Sequence, residues 1–128
     1  LCSQHVDFLP FVLDHLEHLC FSGNLLQSVP REIHTLSGLT NLSLNNNDLQ
    51  TLPPEIGMLH KLRHLDIGGA SNYYFHDLSR QSPIVQSCSG NKLQQLPASI
   101  GELVELVALI ASSNQLNAIP PSLADMDR

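Results

Sequence analysis

The 128-residue sequence predicts a repeat solenoid of the α/β class, in which thin layers stack in one direction. The pattern LxxLxLxxNxLxxLPxxIxxLxx recurs along the chain, and its copies begin at Leu16, Leu39, Leu62 and Leu106. The first three copies start 23 residues apart, and a fixed period of this length indicates repeat architecture before any local propensity is considered. Leucine and isoleucine dominate a composition that is 42% hydrophobic and lacks tryptophan, which suits stacked, similar layers.

Each copy opens with a short strand and a turn. In LxxLxL the apolar residues alternate with variable ones, which is the period of a strand with one buried face. Such a strand has no partner within its own copy, so we expect it to pair in parallel with the same strand of the next copy. An asparagine follows each strand, and its amide can donate to and accept from the buried backbone of the turn. This structural column consists of Asn24, Asn47, Asn91 and Asn114.

A proline begins the second half of each copy. Because proline restricts φ and has no amide hydrogen, it ends strand pairing and starts a return segment. The return is too short for a long helix, so we expect an extended or single-turn helical path that points one aliphatic side chain inward. These inward residues are Ile33, Ile56, Ile100 and Leu123. The predicted architecture is a curved solenoid with a concave parallel β-sheet and short irregular or helical convex returns.

The predicted boundaries follow the register of the pattern. The third copy opens at Leu62, is interrupted by 21 residues (70–90) and resumes at Asn91. No capping segment with a polar outer face follows the last copy, so we expect the chain to be a fragment of a longer protein. The predicted units are a partial, divergent N-terminal repeat at 1–15 and repeats at 16–38, 39–61, 62–105 and 106–128.

The Leu-Pro-x-x-Ile-x-x-Leu second half of the copies resembles that of leucine-rich repeat proteins of the 23-residue class. The similarity is to the intracellular Ras-group, Shoc/Sur-type members, and it covers residues 16–69 and 91–128 well and 1–15 weakly. It implies a horseshoe fold and a protein-interaction scaffold in signal transduction, with a small GTPase or a phosphatase or kinase signalling component as partner. It also implies an alternative, because related repeats stand beside kinase or ubiquitin-ligase domains. The chain would then be the recognition arm of a larger enzyme.

Charge and cysteine content limit the partners and the compartment. The net charge is −6 with histidine neutral, whereas nucleic acid or an anionic membrane surface would call for a basic face. No apolar run approaches the ~20 residues that a membrane span needs. Cys2, Cys20 and Cys88 form no paired framework, and free thiols suit a reducing compartment, so we expect a cytoplasmic protein.

The variable strand positions are the predicted partner-binding residues. The Leu, Asn and Pro positions hold the fold together, whereas the third, fifth and seventh positions of each copy form columns on the concave face. Adjacent strands lie about 4.8 Å apart, so one partner surface can contact a whole column. The predicted binding residues are His18, Cys20, Ser22, Asn41, Ser43, Asn45, His64, Asp66, Ala108, Ile110 and Ser112.

The same columns predict neither a metal site nor catalysis. His18 and His64 lie two strands apart, roughly 10 Å, whereas zinc ligands converge within about 2.0–2.3 Å of the ion. Cys20 near His18, and Ser43 near Asp66, resemble nucleophile–base pairs, but an open sheet offers neither a pocket nor oxyanion donors. We therefore expect a non-enzymatic protein without a cofactor.

Residues 70–90 are the least regular part of the chain and carry three of its six aromatic residues. Three interpretations are open. In the first, Tyr73, Tyr74 and Phe75 form an aromatic anchor for a partner at the rim of the concave face. In the second, the segment is a loop of no consequence. In the third, it is a sequence artefact such as an unspliced in-frame intron, because its removal joins Gly69 to Asn91 and restores a 23-residue copy.

Overall fold

The computed structural model describes residues 15–69 and 90–126, and in these ranges four short parallel strands form one sheet. The strands are β1 (His18–Cys20), β2 (Asn41–Ser43), β3 (His64–Asp66) and β4 (Ala108–Ile110), and they lie side by side in sequence order. Equivalent repeat positions face each other in every pair, so that Leu19, Leu42, Leu65 and Leu109 form one row. The prediction of a repeat solenoid with a parallel sheet is confirmed.

The return segment of each repeat is a single helical turn. Three 3₁₀ helices (Arg31–Thr35, Pro54–Met58 and Ala98–Glu102) and one α-helix, α1 (Pro121–Ala124), each directly follow a proline. In the three 3₁₀ helices this proline has φ between −64° and −69°, to which its ring restricts it. Helices of adjacent repeats pack against each other on the side opposite the sheet. Of the two return paths that the sequence allowed, the chain takes the helical one.

The hydrophobic core is a continuous slab of leucine and isoleucine side chains between the sheet and the returns. Ile33, Ile56 and Ile100, which the pattern predicts to point inward, are at most 1% exposed. Leu123 is partly buried against the same core. Fully burying one such side chain contributes roughly 1.5–3 kcal/mol, and each layer buries several, so stacking dominates the stability of the fold.

Asparagine side chains bind successive layers together where the strands end, and the column of Asn24, Asn47, Asn91 and Asn114 is called the asparagine ladder. Asn47 Nδ2 donates to the carbonyl oxygen of Leu44 in its own repeat and to that of Phe21 in the preceding repeat, both at 2.9 Å. Asn47 Oδ1 accepts from the amide of Leu26 at 3.1 Å. The asparagines of the third and fourth repeats make the equivalent hydrogen bonds. Each amide thus satisfies three backbone groups that would be costly to bury without partners.

The insertion leaves the repeat register unchanged on both sides. Strand β3 pairs with β4 residue for residue. Asn91 Nδ2 donates to the carbonyl oxygen of Ile67 at 2.9 Å, as Asn47 Nδ2 donates to that of Leu44. Asn91 makes this bond to a residue 24 positions earlier, whereas Asn47 reaches back three. Asn91 therefore completes the repeat that Leu62 begins, and residues 70–89 lie outside the described ranges.

Candidate protein-binding face

The predicted binding positions form columns that cross the sheet in register. A partner that lies across the strands would meet equivalent positions of successive repeats one after another. The first column is His18, Asn41, His64 and Ala108, and the second is Cys20, Ser43, Asp66 and Ile110.

The two ends of this face are accessible. His18 and Cys20 of β1 are exposed, and so is Ser112, which follows β4. Five other predicted residues have intermediate exposure: Ser22, Asn41, His64, Ala108 and Ile110. The groups that a partner can reach therefore lie mainly in the first and fourth repeats and along the first column.

The centre of the face is buried. Ser43, Asn45 and Asp66 expose only 3%, 4% and 0% of their surface. Their polar atoms have partners within the fold, because Ser43 Oγ donates to Asn45 Oδ1 at 2.9 Å. Asp66 Oδ1 accepts from the amide of Gly68 at 3.1 Å. These three residues are not the free hydrogen-bonding groups that we expected from the pattern, and the binding role of the full set stays a prediction.

A directional chain of hydrogen bonds joins the first two repeats. Cys20 Sγ lies 3.1 Å from Ser22 Oγ, which lies 2.7 Å from Ser43 Oγ. Because Ser43 gives its one hydroxyl hydrogen to Asn45, Ser22 donates to Ser43. The Cys20 thiol is then the donor to Ser22. These four side chains include no base that would activate the thiol, so their hydrogen bonds serve to orient the hydroxyl groups.

Asn41 links the first column to β3. Thr40 Oγ1 lies 2.8 Å from Asn41 Oδ1 and 3.0 Å from the carbonyl oxygen of Glu17, so its one hydroxyl hydrogen has two acceptors. Asn41 Nδ2 lies 3.3 Å from His64 Nδ1. An amide nitrogen can only donate, so this contact requires His64 Nδ1 to be the unprotonated nitrogen of the ring. The column is therefore held by side-chain hydrogen bonds as well as by the sheet.

Other predicted features are placed as follows. Among the described residues, no three His, Cys, Asp or Glu side chains are grouped as metal ligands would be. Cys20 carries a free, exposed thiol, whereas Cys2, Cys88 and the loop anchor predicted at residues 73–75 lie outside the described ranges. The partial repeat predicted at 1–15 also lies outside them, apart from His15. Within residues 15–69 and 90–126 no helix is long and apolar enough to cross a membrane.

The repeat pattern does not predict a shallow polar groove on the flank of the solenoid. Its lining residues occupy the variable positions between the ladder asparagine and the proline: Gln50, Thr51, Lys92, Gln94, Gln95 and Gln115. Lys92 Nζ lies 3.1 Å from Asp48 Oδ1, so the one charged lining residue is paired. A signal was present in the sequence, because glutamine occupies the same position in three repeats, at Gln27, Gln50 and Gln94.

Comparison with known proteins agrees with this geometry. Residues 38–59 match the model of the Leucine Rich Repeat family. No curated protein matches the chain. Together with the parallel sheet and the structural similarities below, the match defines the class: the chain folds as a leucine-rich repeat solenoid.

Solved structures of several proteins are similar to the chain. A leucine-rich repeat protein of Leptospira interrogans is 34% identical with a TM-score of 0.63, over 86% of this chain and 22% of that protein. A chain of the BIR3–SERK2 complex from Arabidopsis thaliana is 28% identical with a TM-score of 0.61, over 85% and 50%. A plant ice-binding protein is 28% identical with a TM-score of 0.58, over 84% and 30%. The chain thus spans at most half the length of these proteins.

Proposed function

We propose that this chain is a non-catalytic protein-interaction scaffold that binds a signalling protein through its concave sheet. The observation that carries the proposal is that structural and variable positions are separate within each repeat. Leucine, isoleucine and asparagine side chains build the core and the ladder, while variable side chains stand in register across four strands. Leucine-rich repeats commonly serve as protein-interaction modules, and one similar structure is that of the BIR3–SERK2 complex.

The class of partner rests on the resemblance to the 23-residue Ras-group repeats. On that basis the partner is a small GTPase or a phosphatase or kinase component of a signalling pathway. The exposed free thiol of Cys20 supports a reducing, cytoplasmic compartment, because thiols persist there without pairing. The accessible residues His18, Asn41, His64 and Ser112 offer hydrogen bonds and little charge, so we expect contacts with polar, uncharged groups of the partner.

The binding experiment uses the exposed positions of the concave face. The variant H18E/S112E places two carboxylates on that face, and the variant S37E/H60E makes the same two exchanges at exposed positions between return helices and strands. A partner recovered with the wild-type chain is purified, and its Kd for each variant is measured. We expect H18E/S112E to weaken binding at least about tenfold, or about 1.4 kcal/mol, and the control to change it little. Unchanged binding by H18E/S112E, or equal loss in the control, would contradict the proposal.

The second candidate function is the recognition arm of a larger enzyme. The observation that favours it is that the chain spans from 22% to 50% of the similar proteins. Sequencing the reading frame that contains the chain separates the two functions. A kinase or ubiquitin-ligase domain in the same frame supports the recognition arm. A frame that encodes only further repeats supports the scaffold.

A further inference from the structure

The shallow polar groove on the flank has hydrogen-bonding groups that the described part of the chain does not use. Polar atoms at the centre of the concave face are bonded within the fold. In contrast, five exposed residues of the groove make no side-chain hydrogen bond to any described residue: Gln50, Thr51, Gln94, Gln95 and Gln115. They belong to the second, third and fourth repeats and surround a volume of about 460 Å³, which is within the range of ligand sites.

The walls of this groove are fixed by backbone hydrogen bonds between layers. The amide of Lys92 donates to the carbonyl oxygen of Leu49 at 2.8 Å, and the amide of Gln115 donates to that of Leu93 at 2.9 Å. Leu49 and Leu93 are fully buried, so the exposed side chains project from a backbone that the core holds in place. A ligand would therefore meet a preformed backbone, which lowers the entropy lost on binding.

The lining of the groove is electrically neutral. Its one charged residue, Lys92, lies with its Nζ 3.1 Å from Asp48 Oδ1. The other lining residues carry a carboxamide or a hydroxyl group, which donate and accept hydrogen bonds without charge. An anionic ligand would compete with Asp48 for the ammonium group, and a cationic ligand would find no carboxylate among the lining residues. The groove therefore suits an uncharged polar ligand.

The backbone of an extended polypeptide has the chemistry that these groups complement. A peptide group, like a carboxamide, can donate and accept. A helix uses most of its peptide groups internally, whereas an extended segment leaves them free for a partner. The lining residues come from three successive layers about 4.8 Å apart, roughly 10 Å in all, and three extended residues of about 3.3 Å each span that distance.

We propose that the groove binds a short, extended and uncharged segment of the partner protein through the main chain of that segment. This inference rests on the proposed scaffold function and adds a second contact to the concave face. The two surfaces are continuous, because Lys92 and Gln115 directly follow the ladder residues Asn91 and Asn114. One partner can therefore occupy both surfaces, and each contact raises the effective concentration for the other.

Removal of the groove carboxamides tests the proposal with the purified partner of the Kd measurement above. Q50A/Q94A removes two exposed carboxamides from one position of the second and third repeats. Q27A/N117A is the matched control, because it removes those of the first and fourth repeats at the same position, which do not line the groove. We expect Kd to rise about tenfold for Q50A/Q94A and less than about twofold for the control. Because the contacts are uncharged, this ratio should be the same at low and high ionic strength.

Hydrogen exchange of the partner locates the bound segment. Complexes with the wild-type chain and with Q50A/Q94A are compared at saturating concentrations. We expect one short stretch of the partner, outside its helices, to be protected by the wild-type chain and less protected by the variant. A loss of protection confined to helices of the partner would overturn main-chain recognition of an extended segment.

The remaining outcomes separate this inference from the proposed function. If H18E/S112E weakens binding and Q50A/Q94A does not, the concave-face function stands and the groove proposal is overturned. If neither double exchange weakens binding, both are overturned. Equal loss of affinity in Q27A/N117A would overturn the groove proposal alone. So would a lower melting temperature of Q50A/Q94A in the full chain but not in a variant lacking residues 70–90, because the groove would then hold that segment of the same chain.

Discussion

The amide of asparagine both donates and accepts hydrogen bonds, and the asparagine ladder uses both functions. Asn47 gives two hydrogens to carbonyl oxygens and takes one from an amide while only 4% of its surface is exposed. The residue before the ladder asparagine adopts a left-handed conformation in three repeats, with φ of 71° at Gly23, 55° at Asn46 and 57° at Ser113. Glycine and asparagine tolerate this conformation better than serine does. The turn thus depends on two adjacent residues, one for its backbone conformation and one for its hydrogen bonds.

Truncating a ladder asparagine should cost more in the interior than at the end. N47A removes an amide that satisfies buried groups on both sides, and we expect the free energy of unfolding to fall by about 3 kcal/mol. N114A is the control, because Asn114 is half-buried and no described layer follows it, and we expect it to cost about half as much. Urea unfolding followed by circular dichroism measures both. A larger loss for N114A than for N47A would show that the ladder does not act through burial.

The strained serine offers a gain in stability. S113G relieves a left-handed conformation that costs an L-residue roughly 1–2 kcal/mol, while glycine adds entropy to the unfolded chain. We expect a net stabilisation of up to about 1 kcal/mol in thermal unfolding. S112G, one residue earlier, relieves no such strain and loses the hydrogen bond from Ser112 Oγ to the carbonyl oxygen of Gly69, so it should destabilise the protein. If both variants shift the melting temperature in the same direction, strain at Ser113 is not the cause.

The return helices approach each other closely because a glycine of one helix faces a serine of the next. A Cβ at Gly57 would overlap the carbonyl oxygen and Cβ of Ser99 in the next return helix. Ser99 Oγ donates to the carbonyl oxygen of Pro54 at 2.6 Å, and Ser122 Oγ donates in the same way to that of Ala98 at 2.7 Å. A hydroxyl hydrogen bond and a missing side chain therefore set the spacing of the convex side.

Adding a methyl group at this contact should be destabilising. G57A places a Cβ where it overlaps Ser99 of the adjacent helix. Overpacking of this kind typically lowers the free energy of unfolding by about 1–3 kcal/mol. H34A is the matched control, because His34 occupies the same position of the first return helix, where a side chain is already accommodated. We expect H34A to change the free energy of unfolding by less than about 1 kcal/mol. Equal effects of the two exchanges in chemical denaturation would mean that the Gly57 contact is not close in solution.

At the scale of the whole molecule, each layer contacts only its neighbours, so an insertion is tolerated wherever it leaves those contacts intact. The hydrogen bonds of Asn91 and the pairing of β3 with β4 match those of the uninterrupted repeats. The 21 residues between the two halves of the third repeat add chain length and do not shift the register.

Deleting residues 70–90, which joins Gly69 to Asn91, should leave a cooperatively folded solenoid. Shortening the connection reduces the entropy lost on closing it, so we expect the free energy of unfolding to rise by about 2 kcal/mol. Removal of the equally long stretch 40–60 is the control, because it deletes β2 and should abolish cooperative melting. A lower melting temperature after deletion of 70–90 would show that this segment stabilises the stack. Weaker partner binding by a stably folded deletion variant would support the aromatic anchor at residues 73–75.

The accessible part of the candidate face could not be predicted from the strand positions alone. The pattern placed Ser43 and Asp66 in an outward column, and the register agrees with it. Their burial and their hydrogen bonds depend on the residues that follow each strand, namely the Asn45 side chain and the amide of Gly68, which a repeat pattern does not specify. The shallow polar groove on the flank was not predicted for a related reason. Its residues lie outside the strands and become neighbours only when layers stack.

The sequence by itself determined the layers, their parallel order and the roles of leucine, asparagine and proline. It could do so because every repeat packs against a similar repeat, and the same residue types occur at the same positions four times. Tertiary structure alone decided the helical return path, the close approach at Gly57 and the depth of Ser43, Asn45 and Asp66. These properties depend on contacts between layers, because the environment of a residue is set by the side chains and backbone of the neighbouring layer.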